Sequence, residues 1–243
     1  MKKLKLLVLP LLALSLAACG ENEETGGNQQ QSGTLDDIVP AEFDFGNFTR
    51  AGVLTVLDEL QHNTGFSIGF RAATYKDVNA APTYVSDVVI GGKDGYTWAI
   101  ETTDGVTKGA ATKVEGDQFT FYLYENDAWR IVEYDIATGE DLAKEASDFV
   151  TEKVDQLVVK EDYLSKIDFT AASGSTSICS RSCYTFNYKG DYYLSIAIDK
   201  VLGVMMSFNV TYVDNIEGKT YGERIDVTSF SVVNIEIPAF PQN

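Results

Sequence analysis

Apolar residues recur at helical spacing in two stretches of the chain and predict two helices. The first prediction covers about 47–64, where Asn47 or Thr49 can cap the start and Gly65 can close the end. Its apolar stripe consists of Val53, Val56, Leu57 and Leu60. The second prediction covers 138–160, with an apolar stripe opposite an acidic face. That stripe consists of Leu142, Ala146, Phe149, Val150, Val154 and Leu157.

Between and after these helices, apolar residues alternate with polar ones, as in strands with one buried face. The alternation predicts an antiparallel meander over about 66–135, with hairpin turns at Gly91-Gly92 and Asp104-Gly105. A second set of strands follows residue 182, and its last run extends from Ile225 through Phe230 to Ile237. The order helix, meander, helix, meander contains no βαβ alternation, so a parallel nucleotide-binding sheet is disfavoured. We therefore expect an α+β fold: a large, curved antiparallel sheet with helices packed against one face.

The first twenty residues have the pattern of an export signal. Lysines at positions 2, 3 and 5 precede an apolar run, residues 6–16, that is too short to span a bilayer as a helix. The run ends in Leu16-Ala17-Ala18-Cys19, which is typical of a bacterial lipobox. We expect cleavage of a lipoprotein signal peptide, residues 1–18, and attachment of diacylglycerol to Cys19. The alternative is an ordinary secretory signal with an incidental cysteine.

Residues 19–42 are mostly polar and acidic and contain few apolar side chains. We interpret them as a flexible tether between the lipidated Cys19 and a folded domain over 43–243. A flexible stretch of about 20 residues has an r.m.s. reach of about 25 Å. The chain is then expected at the extracytoplasmic face of a cell membrane, held by its acyl chains.

Composition removes several classes of function. The 243 residues include 36 acidic and 19 basic side chains, a net charge of −17, which disfavours nucleic-acid binding. A single histidine, His62, and the absence of an EF-hand spacing make metal sites improbable. Gly65-Phe66-Ser67-Ile68-Gly69 matches the nucleophile elbow only as a string, because a helix precedes it and a strand follows. We therefore predict neither catalytic residues nor a metal or cofactor beyond the covalent lipid.

Cys179 lies in, and Cys183 directly follows, a stretch from Thr170 to Ser182 that is rich in serine, glycine and alanine. In an exported protein they are expected to form a small disulfide that staples this loop. Two thiols or a redox pair are the alternatives.

Aromatic side chains are abundant, with 13 Tyr, 13 Phe and two Trp. They can simply fill a core, or they can line a cavity that a strongly curved sheet leaves for a hydrophobic ligand. By strand and helix phase, the candidate lining residues are Trp98, Phe121, Leu123, Phe149, Leu194, Ile196, Met206 and Phe208.

The element order resembles that of the LolA/LolB-like superfamily, including its lipid-anchored LppX/LprG-type members. The matching parts are the first helix, the strand beginning Phe66-Ser67-Ile68-Gly69-Phe70, the hairpins with Tyr96–Ile100 and Gly116–Tyr122, and the phrase from Val227 to Pro238. The resemblance implies an incomplete half-barrel with helices on its concave face and a cavity for a lipid or a lipoprotein acyl chain. It thus favours a membrane-anchored lipid carrier; the alternative is a fully packed surface interaction or adhesion module without a ligand.

Overall fold

The computed structural model describes residues 43–132, 141–214 and 219–241. The predicted signal peptide, the lipid-attachment site Cys19 and the tether up to residue 42 lie outside the described residues. None of the helices in the described part of the chain is long and apolar enough to cross a membrane.

Eleven strands in the described residues form one antiparallel sheet. Their bounds are β1 Phe66–Tyr75, β2 Tyr84–Lys93, β3 Tyr96–Thr103, β4 Val106–Glu115, β5 Gln118–Glu125, β6 Ala128–Val132, β7 Gly174–Ile178, β8 Arg181–Lys189, β9 Tyr193–Asp199, β10 Met205–Asp214 and β11 Lys219–Ser231. The order across the sheet is β6-β5-β4-β3-β2-β1-β11-β10-β9-β8-β7, and the sheet is open and not closed into a barrel. The predicted antiparallel α+β architecture is confirmed at this level.

The central pair of strands, β1 and β11, joins the two meanders. Ile68 of β1 lies opposite Phe230 of β11, although the two residues are far apart in the chain. The last predicted strand run was expected to reach Ile237, but β11 ends at Ser231. The chain bends over 232–234, where Asn234 has a φ of +53°, and Pro238 lacks the amide hydrogen that a further ladder needs.

Two helices cover one face of the sheet, which we call the helix face. Helix α1 is Arg50–Asn63 and helix α2 is Leu142–Asp155. A 3₁₀ turn at Phe45–Asn47 and a short helix α3, Glu161–Leu164, complete the helical elements of the described chain. Helix side chains share one core with strand residues that lie side by side across the sheet. They include Val53, Leu57, Leu60, Ala146, Val150, Ile68, Ile90, Ala99, Ala110 and Leu123.

Local chemistry sets where the helices begin and end. Thr49 caps α1, because its hydroxyl oxygen accepts a hydrogen bond from the Gly52 amide, and Gly65 follows the helix with a φ of +83°. Helix α2 begins after Asp141, whose carboxylate accepts a hydrogen bond from the Lys144 amide. Both predicted helices are confirmed, but they are shorter than the periodicity suggested.

Two local predictions were wrong. Gly91 and Gly92 belong to strand β2 rather than to a turn, and the hairpin turn is Asp94-Gly95. The cysteine-containing stretch is not a loop throughout, because it holds β7 and the two-residue turn Cys179-Ser180, in which both residues have positive φ.

Candidate functional site

The eight candidate lining residues do not lie around one space. Phe121, Leu123, Phe149 and Met206 belong to the core beneath α1 and α2. Leu194, Ile196 and Phe208 belong to a second cluster, which lies against the 3₁₀ turn and α3. Trp98 lies in a third cluster with Tyr96, Tyr122 and Phe240.

Trp98 lies on the face of the sheet opposite the helices, which we call the tail face. Its neighbour Ala99 is part of the core beneath α1 and α2, and successive side chains of a strand point to opposite faces. The indole of Trp98 lies directly over Gly91 on β2, where a Cβ atom would come within 2.1 Å of it. This close approach is the reason for a glycine inside the strand.

The interior is closely packed around the predicted lining residues. Leu194, Ile196 and Met206 are at most 1% exposed. A crevice between Gln156 and the residues Met205, Phe208 and Ile225 has a volume of about 10 Å³, which is the space of about one water molecule. The Oε1 atom of Gln156 is buried and accepts no hydrogen bond from the described residues. This crevice is far too small to hold an acyl chain.

A group of apolar side chains is exposed on the helix face at the tip of the β4–β5 hairpin. Phe119 is 62% exposed and stacks on Phe121, with ring centroids 6.4 Å apart. Val114, 40% exposed, lies opposite Phe119 on β4. Phe121 is half-buried and packs against the core beneath α2. We call Val114, Phe119 and Phe121 the hairpin patch; exposed apolar groups of this kind are typical of interaction sites.

Helix α2 places an acidic stripe on the same face. Asp141, Glu145, Asp148 and Glu152 border a shallow groove of about 410 Å³ together with Phe149 and Lys144. Lys144 forms an ion pair with Asp148, so the stripe keeps a net negative charge. Because Phe149 is half-buried beside these carboxylates, the groove combines apolar surface with negative charge.

The inner side of α2 is fixed by a buried lysine. The Nζ of Lys153 lies 3.1 Å from carboxylate oxygens of Glu101 on β3 and Glu152 on α2, and 5.2 Å from the ring centroid of Phe149. Burial lowers the pKa of Lys153, but the hydrogen bonds to the two carboxylates outweigh it, so that the pKa is raised. Lys153 is therefore a structural cation that is charged at neutral pH.

A second buried ion pair holds the turn between β9 and β10. Asp199 is fully buried and accepts hydrogen bonds from Arg181 Nε at 2.6 Å and a second guanidinium nitrogen at 2.9 Å. It also accepts hydrogen bonds from the amides of Val201 and Leu202. The guanidinium lies 5.1 Å from the ring centroid of Phe230 on β11. Every described partner of Asp199 is structural, so this pair is a staple of the fold.

The two cysteines lie beside this staple and are not bonded to each other. Cys179 is in the β7–β8 turn, with its Sγ 3.8 Å from the carbonyl oxygen of Val227. The thiol of Cys183 is buried on β8 and donates to the carbonyl of Arg181 at 3.4 Å. Burial, with Asp199 nearby, raises the pKa of the Cys183 thiol to about 11. The predicted disulfide is thus not formed in the structure, and each sulfur has its own backbone contact.

The other polar residues considered from the sequence lie on separate elements. His62 is exposed near the end of α1, where its Nδ1 lies 2.8 Å from the Asp58 carbonyl oxygen. Among residues 43–132, 141–214 and 219–241, no three His, Cys, Asp or Glu side chains are grouped so that they could hold a metal ion. The serine of the elbow-like string, Ser67, lies within strand β1.

Sequence patterns alone did not identify the hairpin patch or the two buried ion pairs. Phe119 fits the same alternation as Phe121 and Leu123, so its phase predicts burial. It is nevertheless 62% exposed, at the end of β5 next to the β4–β5 turn. The pairing of Arg181 with Asp199 depends on the register of β8 and β9, which no local signal specifies.

No protein-family model matches the chain, and no curated protein matches it. Among solved structures, it is similar to MucB in a crystal structure with MucA(peri), with 13% identity, a TM-score of 0.32, and coverage of 77% of this chain and 58% of that one. The Pseudomonas aeruginosa MucA/MucB complex gives 12% identity, a TM-score of 0.29, and coverage of 78% and 57%. A Vibrio parahaemolyticus domain described as an outer membrane lipoprotein-sorting protein gives 8% identity, a TM-score of 0.26, and coverage of 76% and 94%. The chain spans less than two thirds of the MucB chains it matches.

Proposed function

We propose that this protein is a non-enzymatic binding module, anchored to the extracytoplasmic face of a membrane through Cys19, that recognises a partner with its helix face. The observation that carries the proposal is the hairpin patch, in which Phe119 is 62% exposed on the sheet face that α2 and its acidic stripe also cover. The partner that fits this surface is a protein segment with lysine or arginine side chains interleaved with apolar anchors.

Charge and apolar surface favour this partner together. Four carboxylates border the α2 groove, and the whole chain carries a net charge of −17, so a basic segment is attracted over a long range. Affinity would come from burying Phe119 and Phe121, at about 25 cal/mol per Å² of apolar surface removed from water. A neutral apolar partner would lack this electrostatic attraction, and an anionic partner would be repelled.

The test uses a synthetic helical peptide of alternating lysine and leucine pairs, with binding to the whole mature chain measured by fluorescence anisotropy. We expect Phe119→Ser to weaken binding about tenfold, equivalent to about 1.4 kcal/mol. Glu145→Lys combined with Glu152→Lys should weaken binding further and reduce its dependence on salt.

The matched control is Val106→Ser at the other end of strand β4, where the side chain is 59% exposed. This variant should bind the peptide as the unaltered chain does. Equal losses for Phe119→Ser and Val106→Ser, or no measurable binding at all, would overturn the proposed surface.

A second candidate function is the carriage of a lipid or another hydrophobic ligand inside the sheet. The observation that favours it is the crevice at Met205, Phe208 and Ile225, because it lies where the second apolar cluster meets the segment that follows α2. To bind a lipid, this crevice would have to widen from about 10 Å³ to several hundred Å³. A ligand that copurifies with the chain would distinguish this function from surface recognition.

A further inference from the structure

The tail face carries an aromatic site that is occupied by the chain's own C-terminal segment. The ring of Phe240 packs against three aromatic side chains, with centroid distances of 4.9 Å to Tyr96, 4.8 Å to Tyr122 and 4.7 Å to Trp129. It is parallel to Tyr96 and edge-on to Trp129. Phe240 thus fills a three-sided pocket provided by β3, β5 and β6, and it remains only 8% exposed.

The rest of the segment contacts the sheet through side chains and a hydrogen bond from Lys93, as a bound peptide does. Residues 235–241 belong to no strand, so they contribute no ladder to the sheet. Ile235 and Ile237 pack in the same cluster as Phe240, and Lys93 Nζ donates a hydrogen bond to the Ile235 carbonyl oxygen at 2.9 Å. Side-chain anchors at Ile-x-Ile-x-x-Phe spacing therefore provide most of the attachment.

The connection to β11 has the features of a hinge. Val232 still packs in the core beneath α1 and α2, so only Val233 and Asn234 connect it to the first anchor, and Asn234 has a φ of +53°. The left-handed region is unfavourable for residues other than glycine, although asparagine tolerates it best. A short strained hinge of this kind favours exchange of the following segment between copies.

We propose that the tail-face pocket is a peptide-binding site for an extended segment with Ile-x-Ile-x-x-Phe chemistry, and that its occupant in trans is the C-terminal segment of a second copy of this chain. Charge supports the match, since Lys93 and Lys113 border the pocket and the segment carries Glu236. The site is on the face opposite the hairpin patch, so it is independent of the proposed partner surface.

The first experiment asks whether the pocket accepts the segment in trans. A labelled peptide of residues 232–243 is titrated into the whole Phe240→Ala chain, in which the resident anchor is lost, and into the unaltered chain. We expect saturable binding to Phe240→Ala and at least about tenfold weaker binding to the unaltered chain, whose pocket is already filled. The same peptide with alanine in place of Phe240 should not bind either chain.

The second experiment asks whether a second copy supplies the segment. The unaltered chain is refolded at high concentration and its mass is measured by light scattering, with Phe240→Ala as the control. We expect a dimer fraction that Phe240→Ala abolishes. Failure of the peptide to bind Phe240→Ala would overturn the site, and peptide binding without any dimer would overturn the second copy as its occupant. Phe119→Ser should change neither result, so failure here is distinguishable from failure of the proposed function.

Discussion

At the scale of single residues, the contribution of an arginine–aspartate ion pair to stability depends on how deeply the pair is buried. Arg181–Asp199 and Arg71–Asp87 are both arginine–aspartate pairs with two nitrogen–oxygen contacts. Asp199 is fully buried, whereas the side chains of Arg71 and Asp87 are 57% and 50% exposed. Removing one member of a buried pair leaves an uncompensated charge, whereas water solvates the partner that remains at an exposed pair.

Asp199→Ala should therefore lower the free energy of unfolding by about 3–5 kcal/mol, and Asp87→Ala by about 1 kcal/mol or less. The buried variant also leaves the amides of Val201 and Leu202 without their acceptor. Urea unfolding followed by circular dichroism measures both values. Equal losses at the two sites would contradict the assignment of Asp199 as the staple of the β9–β10 turn.

Cys183 gives a prediction about alkaline pH. Its folded-state pKa is raised to about 11 from an ordinary 9.0, so the unfolded chain loses the thiol proton at a lower pH than the folded chain does. The thiol's contribution to stability is therefore complete below pH 9 and is lost as the pH rises toward 11. The free energy of unfolding should fall more steeply over this range for the unaltered chain than for Cys183→Ala. Identical slopes, or a disulfide found by mass spectrometry, would contradict the thiol assignment.

At the scale of elements, α2 is attached to the sheet by Ala146 and Val150 and by the buried Lys153. The lysine places a charge between helix and sheet, where Glu101 of β3 balances it. A second link joins the two helices at their ends, since Arg50 of α1 forms an ion pair with Asp155 of α2. The position of the acidic stripe relative to the hairpin patch depends on this attachment.

Lys153→Ala should destabilise the protein by about 3–5 kcal/mol, because it leaves Glu101 without its buried partner. Lys153→Met keeps the volume, and combined with Glu101→Gln it should recover much of that loss. Lys144→Ala is the control on the same helix: its pair with Asp148 is exposed to water, so its loss should change the stability much less than the loss of Lys153. Thermal unfolding compares these three variants with the unaltered chain, and a loss of stability for Lys144→Ala as large as for Lys153→Ala would contradict the role of Lys153 as a buried structural cation.

Elements were predictable where a local pattern determines them. Strand β1 has the predicted alternation, with Phe66, Ile68 and Phe70 on one face. Helix α1 begins after its cap, Thr49, and ends just before Gly65, as the sequence predicted. The end of strand β2 was predicted wrongly because Gly91 and Gly92 suggested a turn, whereas they make room for Trp98 and Phe66 on neighbouring strands. That need arises from the register of β2 with β1 and β3, which no local pattern contains.

At the scale of the whole molecule, the candidate lining residues show what strand phase can and cannot predict. The alternation of side chains along the strands and the helical repeat identified residues that are buried or half-buried. They did not indicate on which face of the sheet, or in which apolar cluster, each residue would lie. Trp98 lies on the tail face, and Phe208 and Met206 belong to different cores. Because the C-terminal segment covers the part of the tail face formed by β3, β5 and β6 and the helices cover the other face, this part of the open sheet has apolar clusters on both sides.

Because the interior is closely packed around the candidate lining residues, we propose that this protein binds its partner at its surface and not around an enclosed ligand. The most direct test is native mass spectrometry of the mature chain with Cys19→Ser, exported and purified from its own host. We predict the mass of the protein alone, with no uptake of a fluorescent fatty acid. A lipid bound in a one-to-one ratio, and lost in a folded Phe208→Ala variant, would contradict the claim and establish the chain as a carrier.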